Sequence, residues 1–147
     1  MSKSVLSSGL AIRAASTAAS SIVRWFKGRP IRGKGASDLA WFKPDASAMS
    51  EEDWNEWFAK SFAMFLHGEG LAPDEHGQRV QDASFLLLFN AHTDAVTFTL
   101  PGKPWGTRWR PALDTAESGE AALGDALEAG ASLARAGLSL AVLERLA

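Results

Sequence analysis

The 147-residue sequence contains no cysteine and no tyrosine. The missing cysteine excludes disulfide bonds, thiolate metal sites and cysteine nucleophiles, and it suits a reducing cytoplasm, where we expect the protein to be located. No apolar run approaches the ~18 residues that would indicate a membrane span, so no membrane association is expected. These absences leave a globular domain without covalent cross-links as the expectation.

The sequence is also poor in the motifs that carry chemistry. Its only three histidines (His67, His76 and His92) lack the His-x-x-His or His-x-x-x-His spacing of a metal site. Ser61 and Ser84 lack the Gly-x-Ser-x-Gly context of a nucleophile elbow. We therefore expect no metal site and no cofactor.

Charge is distributed unevenly along the chain. Residues 1–35 hold seven bases and no acid, whereas the remainder holds eight bases and 17 acids. The Ser- and Ala-rich segment 1–23 fits three interpretations: a disordered tail, a transit peptide, or an artefact of a truncated or frameshifted gene. Its bases are too scattered, and the rest of the chain too acidic, to predict a nucleic-acid partner. Glycine and proline make residues 24–36 a predicted linker.

The strongest strand signals lie in the middle of the chain. Five consecutive large apolar residues at Phe85–Phe89 predict a central strand covered on both faces. Val96–Leu100 alternates between apolar residues and threonine, as a half-buried antiparallel strand does. Thr107–Asp114 reads as a strand that Pro111 should place at a sheet edge.

The helical signals are weaker. Ser50 followed by Asp53 predicts a capping box and one short helix near residues 50–58, and propensity favours a marginal helix over Glu120–Leu127. Ala59–Leu66 fits either a continued helix or a buried strand, and we favour the strand because glycines follow it. The elements together predict an all-β domain over residues 37–147, an antiparallel, Greek-key-like β-sandwich of about six to eight strands.

Several residue strings in this region closely resemble the C-terminal part of isoamylase-type glycogen debranching enzymes of the α-amylase superfamily. The resemblance covers about residues 24–147 and preserves the order of its motifs. The strings that carry it are Gly28–Gly33, Asp38–Asp45, Met49–Trp54, Ala59–Gly68, Asp82–His92, Phe98–Pro101, Trp105-Gly106, Trp109 and Leu113–Thr115.

The resemblance implies a non-catalytic domain. Enzymes of this family hydrolyse α-1,6-glucosidic branch linkages, and their catalytic carboxylates lie in a (β/α)₈ barrel upstream of the matched region. A barrel needs about 200–250 residues, so no family catalytic residue is carried onto this chain, and we predict no catalytic residue. Its own acids occupy turns and caps rather than the facing pair that a glycosidase needs. The implied partner is the catalytic barrel, on the same chain or encoded separately.

Tryptophan supplies the alternative interpretation, a stand-alone module that binds α-glucan through exposed indole rings. The candidates for glucan or barrel-interface contacts are Trp41, Trp105 and Trp109, which lie near predicted turns or strand ends. Core or interface packing is the more ordinary use of such residues. Trp54, Trp57 and Phe58 lie on one face of the predicted helix, and we expect this face to pack against the core. A domain without its barrel should also expose an apolar patch.

Overall fold

The computed structural model describes residues 37–56, 60–70, 76, 78, 82–117 and 124–147. The predicted N-terminal segment 1–23 and the linker 24–36 therefore lie outside the described residues. The first half of the helix predicted over Glu120–Leu127 also lies outside them, and the described residues 124–126 are not helical. Its last residue, Leu127, belongs to a short strand rather than to a helix.

The regular secondary structure of the described part is almost entirely β-strand, which confirms the predicted all-β class. Its elements in chain order are β1 (Leu39–Phe42), α1 (Glu51–Asn55), β2 (Ser61–Leu66), a 3-10 turn (Gly68–Gly70), β3 (Phe85–Asn90), β4 (Val96–Thr99), β5 (Arg108–Asp114), β6 (Leu127–Glu128), β7 (Ser132–Arg135) and β8 (Ser139–Leu146).

The strands form two antiparallel sheets. The larger sheet has the order β1-β2-β3-β8-β5-β6, and β4 pairs with β7 in the smaller one. The last strand, β8, thus lies between β3 and β5, a non-sequential arrangement typical of Greek-key connections. The small sheet packs on one face of the large sheet, so the predicted sandwich is confirmed.

The local sequence explains why β3 and β4 form where they do. In β3 every side chain is buried or half-buried, because the strand is paired on both sides and has apolar neighbours on both faces. In β4 Phe98 is buried while Thr97 is exposed, which matches the alternation in the sequence. Both strand predictions are confirmed.

The prediction that Pro111 marks an edge strand is wrong for β5 as a whole. β5 pairs with β8 along its length and lies second from the edge. The edge strand β6 is only two residues long and pairs with Arg108 and Trp109. Pro111 lies beyond that short pairing, next to a register shift in the β5–β8 ladder. A proline is tolerated there because no other described strand pairs with that side of β5 at this position.

The hydrophobic core lies between the two sheets. It is built from fully or nearly fully buried side chains of both, namely Phe42, Ala63, Phe65, Leu86, Leu88, Phe98, Leu100, Trp109, Ala141 and Leu143. Trp109 also satisfies its indole nitrogen, because Nε1 donates to the carbonyl of Pro101 at 3.1 Å. A Cβ added to Gly106 would lie 2.6 Å from Cζ2 of Trp109, so only glycine fits against this ring.

The helix α1 begins with the predicted capping box. The amide of Asp53 donates to Oγ of Ser50 at 3.3 Å, and Oδ2 of Asp53 accepts from the amide of Ser50 at 2.8 Å. Two amides that a helix start leaves without partners are thereby satisfied. The cap fixes the first turn of α1 and so the position of Trp54.

Candidate functional site

The second face of the six-stranded sheet, which points away from the small sheet, is also apolar. We call this face the outer apolar surface. It consists of Leu39, Trp41, Phe62, Met64, Leu66, Phe85, Leu87, Phe89, Leu113, Leu140 and Val142. Its central residues Met64, Leu66, Leu87 and Val142 are at most 7% exposed, and the residues around them are partly exposed. A solvated face of an antiparallel sheet normally carries polar side chains, because only one face needs to be buried. This surface therefore suits contact with a further layer of structure.

Strand register arranges these side chains in continuous rows. One row runs from Phe62 through Phe89 to Leu140, because these residues are paired across β2, β3 and β8. A second row crosses five strands, from β1 to β5; its members are Trp41, Met64, Leu87, Val142 and Leu113. Since the residues of a row occupy the same face, a one-residue slip of any strand would break the surface.

The third row ends in charged residues. It passes from Phe85 to Glu144, which pairs with Arg110 of β5. Nη2 of Arg110 lies 2.6 Å from Oε2 of Glu144, and the arginine is exposed. The outer apolar surface thus has a polar boundary on the β5 side, as interaction surfaces commonly do.

Aromatic rings are concentrated at one corner of this surface. Trp41 meets Trp54 of α1 edge-on at a centroid distance of 5.1 Å, and it contacts Phe62 at 5.7 Å. Phe62 stacks on Phe89 at 4.8 Å. Trp54 remains 47% exposed. We call Trp41, Trp54, Phe62 and Phe89 the aromatic corner.

The structure separates the three tryptophans that the sequence suggested as contact residues. Trp41 lies half-buried in the aromatic corner. Trp105 is half-buried against the core, with ring contacts to Phe42 and Phe65 at 5.3 and 5.5 Å. Trp109 is fully buried. The suggestion of Trp109 as a contact residue is therefore corrected, because its ring is enclosed between the sheets and offers no face to a sugar or a partner.

Trp54 was missed as a candidate. The sequence placed it with core-facing helical residues, but it packs on Trp41 and leaves nearly half of its surface exposed. Trp57 and Phe58, expected to share its face, lie outside the described residues. The available signal was the run Glu51–Asp53, since a helix this rich in acids at its first turn lies at the surface.

Three described carboxyl groups with lowered pKa values lie at the start of α1 and in the turn before it. Hydrogen bonds from Ser50 hold the pKa of Asp53 below its usual range, and hydrogen bonds from the Ser47 hydroxyl and amide do the same for Asp45. The pKa of Glu52 is lowered as well, by backbone and Ser50 hydrogen bonds. A glycosidase acid needs a raised pKa, so these three groups are suited to accepting hydrogen bonds in a turn and a helix cap rather than to donating a proton.

Two further properties concern the described residues only. Within residues 37–56, 60–70, 76, 78, 82–117 and 124–147, no group of three or more histidine, aspartate or glutamate side chains is arranged to hold a metal ion. No helix in this part of the chain is long and apolar enough to cross a membrane.

Comparison with known proteins identifies the family. The family described as "Isoamylase, C-terminal" matches residues 38–136, from the residue before β1 to the residue after β7. The glycogen operon protein GlgX homolog of Mycobacterium bovis is 46% identical over 94 residues, which are 63% of this chain and 13% of that protein. The corresponding protein of Mycobacterium tuberculosis gives the same values.

A more distant relative matches a similar share of the chain. The isoamylase of Pseudomonas amyloderamosa is 28% identical over 89 residues, which are 60% of this chain and 10% of that enzyme. The chain thus spans 13% or less of the length of the curated relatives it matches. Because the family match covers about two thirds of the 147 residues, the chain belongs to the isoamylase C-terminal domain family.

Proposed function

We propose that this chain is the non-catalytic C-terminal domain of a cytoplasmic glycogen debranching enzyme, whose catalytic barrel hydrolyses α-1,6-glucosidic branch linkages. The barrel is the proposed partner, and the outer apolar surface is the proposed contact. The cytoplasmic location is part of the proposal, because a cysteine-free sequence suits a reducing compartment. Family membership and the relatives' names, "Isoamylase" and "Glycogen operon protein GlgX homolog", support the activity of the whole enzyme.

The observation that carries this proposal is the second apolar face of the six-stranded sheet. A two-layer sandwich is complete once the sheets bury their facing sides, as β4–β7 and the large sheet do here. The additional rows of large side chains on the opposite face have no role in that core. Their size, the partly exposed rings of Trp41, Phe62 and Phe89, and the 47% exposure of Trp54 suit an interface that buries apolar surface against a second domain.

The catalytic part of the proposal is tested with the chain alone. We expect the purified chain to release no linear maltodextrins from glycogen above a mock preparation. Release that increases in proportion to the amount of protein, and that is absent from the mock, would contradict a non-catalytic domain.

The packing part is tested by co-expression with the barrel of the Mycobacterium tuberculosis relative, shortened to exclude its own matching region. We expect the chain to co-purify with the barrel. The variant Trp54→Glu, which places a charge in the aromatic corner, should weaken the complex about tenfold or more, since tryptophan is enriched among the residues that contribute most to such interfaces.

Leu138→Glu is the matched control for that experiment. Leu138 is also a large exposed apolar residue, 73% exposed in the turn between β7 and β8, but it lies off the outer apolar surface. We expect this variant to bind the barrel like the unmodified chain. Equal effects of the two substitutions would show that the outer apolar surface is not the contact.

The exposed ring of Trp54 also favours a second candidate function, an α-glucan-binding module. Indole faces stack on the apolar faces of sugar rings, and Trp41 supports the Trp54 ring by packing nearly perpendicular to it. Affinity electrophoresis in glycogen-containing gels separates the two candidates. Retardation that Trp54→Ala abolishes supports the module, whereas unretarded migration removes it.

A further inference from the structure

The outer apolar surface is enclosed at its middle and open at one corner. Its four middle residues, which we call the enclosed centre, are Met64, Leu66, Leu87 and Val142. They are between 1% and 7% exposed, whereas Trp54 in the aromatic corner is 47% exposed. Burial that differs this much within one surface needs a cause that acts on the middle and not on the corner.

Neighbours within one sheet do not enclose a side chain this completely. Side chains stand roughly perpendicular to a sheet, so neighbours shield their sides and leave their tips open. On the inner face Leu86 and Leu88 reach 0% exposure because the small sheet, with Phe98, packs over them. The enclosed centre therefore needs a layer above its tips as well. The described apolar residues that pack against it all come from the outer apolar surface itself, namely Leu39, Trp41, Phe85, Phe89, Leu113 and Leu140.

Leu66 shows at which end of the sheet this layer enters. At 1% exposed it is the most enclosed of the four, and it pairs with Leu39, the first residue of β1. Residues 24–36 lead towards β1 at this end, and residues 71–81 follow β2 at the same end. Residues 57–59 precede the opposite end of β2, about 20 Å from Leu66. Of these three segments, the first two are within reach of the enclosed centre.

The segment 71–81 is the less suitable of the two. Its large apolar residues are Leu71 and Val80, near its two ends, and the residues between them are mostly polar. Within it the structure describes His76 and Gln78, and both are exposed. A layer over four large apolar side chains requires more apolar surface than this segment offers.

Residues 24–36 have both the chemistry and the length. Trp25 and Phe26 are adjacent, and each such ring can bury about 150–250 Å². The segment carries five bases and no acid, whereas residues 36–147 hold eight bases and 17 acids, so the two attract each other. Its 13 residues can span about 40 Å when extended. The distance across the sheet from β1 to β8 is only about 15 Å.

We propose that residues 24–36 of this chain pack over the enclosed centre, with the rings of Trp25 and Phe26 as their main apolar contact. The predicted linker is then a packed part of the domain. The aromatic corner stays open, and the barrel contact proposed above falls on this corner. Co-purification with a barrel, and its loss in Trp54→Glu, therefore does not depend on how the enclosed centre is covered, and the two proposals fail independently.

Methyl-detected NMR on the full chain tests the contact directly. With leucine and valine methyl groups labelled, we expect NOEs from Leu66 and Val142 to the ring protons of Trp25 or Phe26. NOEs to Leu71 or Val80 instead would assign the layer to residues 71–81. NOEs between differently labelled chains would assign it to a second copy, and NOEs to water alone would leave the centre uncovered. Each of these three outcomes overturns the proposal.

A pair of double variants gives an independent measurement. Trp25→Ser/Phe26→Ser removes both rings, so it should lower the urea midpoint by about 1 M and shift the Leu66 and Val142 methyl resonances. Val5→Ser/Leu6→Ser is the matched control, because it also removes two adjacent large apolar residues but lies outside residues 24–36. It should change neither the midpoint nor these resonances. Equal responses of the two double variants, or no response to either, would contradict packing by residues 24–36.

Discussion

The two faces of the six-stranded sheet are built from the same kinds of side chain but are packed differently. On the inner face Phe65, Leu86, Leu88 and Leu143 have no exposed surface. On the outer face the central residues Met64, Leu66, Leu87 and Val142 are also buried. The residues around them, such as Leu39, Leu140 and Phe89, keep part of their surface exposed. The inner face is therefore fully enclosed between the two sheets, whereas the outer face keeps exposed apolar area that a partner could cover. Stability should therefore depend mainly on the inner face and partner binding mainly on the outer face.

The largest effect is expected at the centre of the inner face. Trp109→Ala should lower the free energy of unfolding by about 4 kcal/mol, because it removes a fully buried ring and leaves a cavity. Urea denaturation followed by circular dichroism measures this loss. Trp54→Ala is the outer counterpart and should cost about 1 kcal/mol, since it loses mainly aromatic edge contacts. Similar losses in the two variants would refute the division between the faces.

A somewhat smaller loss is expected where the inner face becomes polar. Arg135→Met should cost about 3 kcal/mol, because it leaves the buried carboxylate of Asp114 without its partner. The double variant Asp114→Asn/Arg135→Met should recover most of that loss, since the substituted amide side chain is neutral and can still accept the Ala116 amide. If the double variant is no more stable than Arg135→Met, the ion pair is not the origin of the loss.

An intermediate effect is expected on the outer face itself. Phe89→Ala should cost about 2 kcal/mol, roughly half the usual loss for a buried phenylalanine, because Phe89 stacks on Phe62 but stays partly exposed. The same denaturation experiment measures it. A loss equal to that of Trp109→Ala would mean that the outer face is as much a core as the inner one.

The sequence predicted the elements whose pattern is local. β3 and β4 were recognised because an unbroken apolar run and a strict alternation are signals that need no knowledge of the partner strand. β7 was missed, because Ser132–Arg135 holds one large apolar residue and becomes a strand only by pairing with β4, more than 30 residues earlier. β6 consists of two residues and has no periodicity to detect.

The contact residues were harder to predict than the strands. The sequence makes Trp109 a candidate contact residue because it lies near a predicted turn or strand end. The decisive signal was its own strand: Arg108 and Arg110 flank it, and in a strand the residue between two exposed arginines points inwards. The Asp114–Arg135 pair joins residues 21 positions apart on different sheets. No sequence pattern indicates such a pairing.

A smaller effect on the outer face is expected when the cap of α1 is removed. Ser50→Ala should cost about 1 kcal/mol, because Oγ of Ser50 satisfies the amide of Asp53 at the start of α1. The change should also loosen Trp54, which tryptophan fluorescence would report as a shift to longer wavelength before global unfolding. If Ser50→Ala lowers stability but leaves this fluorescence unchanged, packing on Trp41 rather than the cap holds Trp54 in place.

The smallest effect concerns the turn after β1, where Asp45 accepts the amide of Ser47 at 2.9 Å and its hydroxyl at 2.5 Å. These bonds lower the pKa of Asp45 in the folded protein. The unfolded chain therefore binds a proton at a higher pH than the folded one, and this contribution to stability is present at neutral pH and is lost as the pH falls below about 4. Asp45→Asn should destabilise the protein slightly at neutral pH and match the unmodified chain in acid. Because Asp45 is exposed and lies outside both faces, the shift should not change with Trp109→Ala or Phe89→Ala. A pH dependence that those variants alter would place the turn within one of the two packed faces.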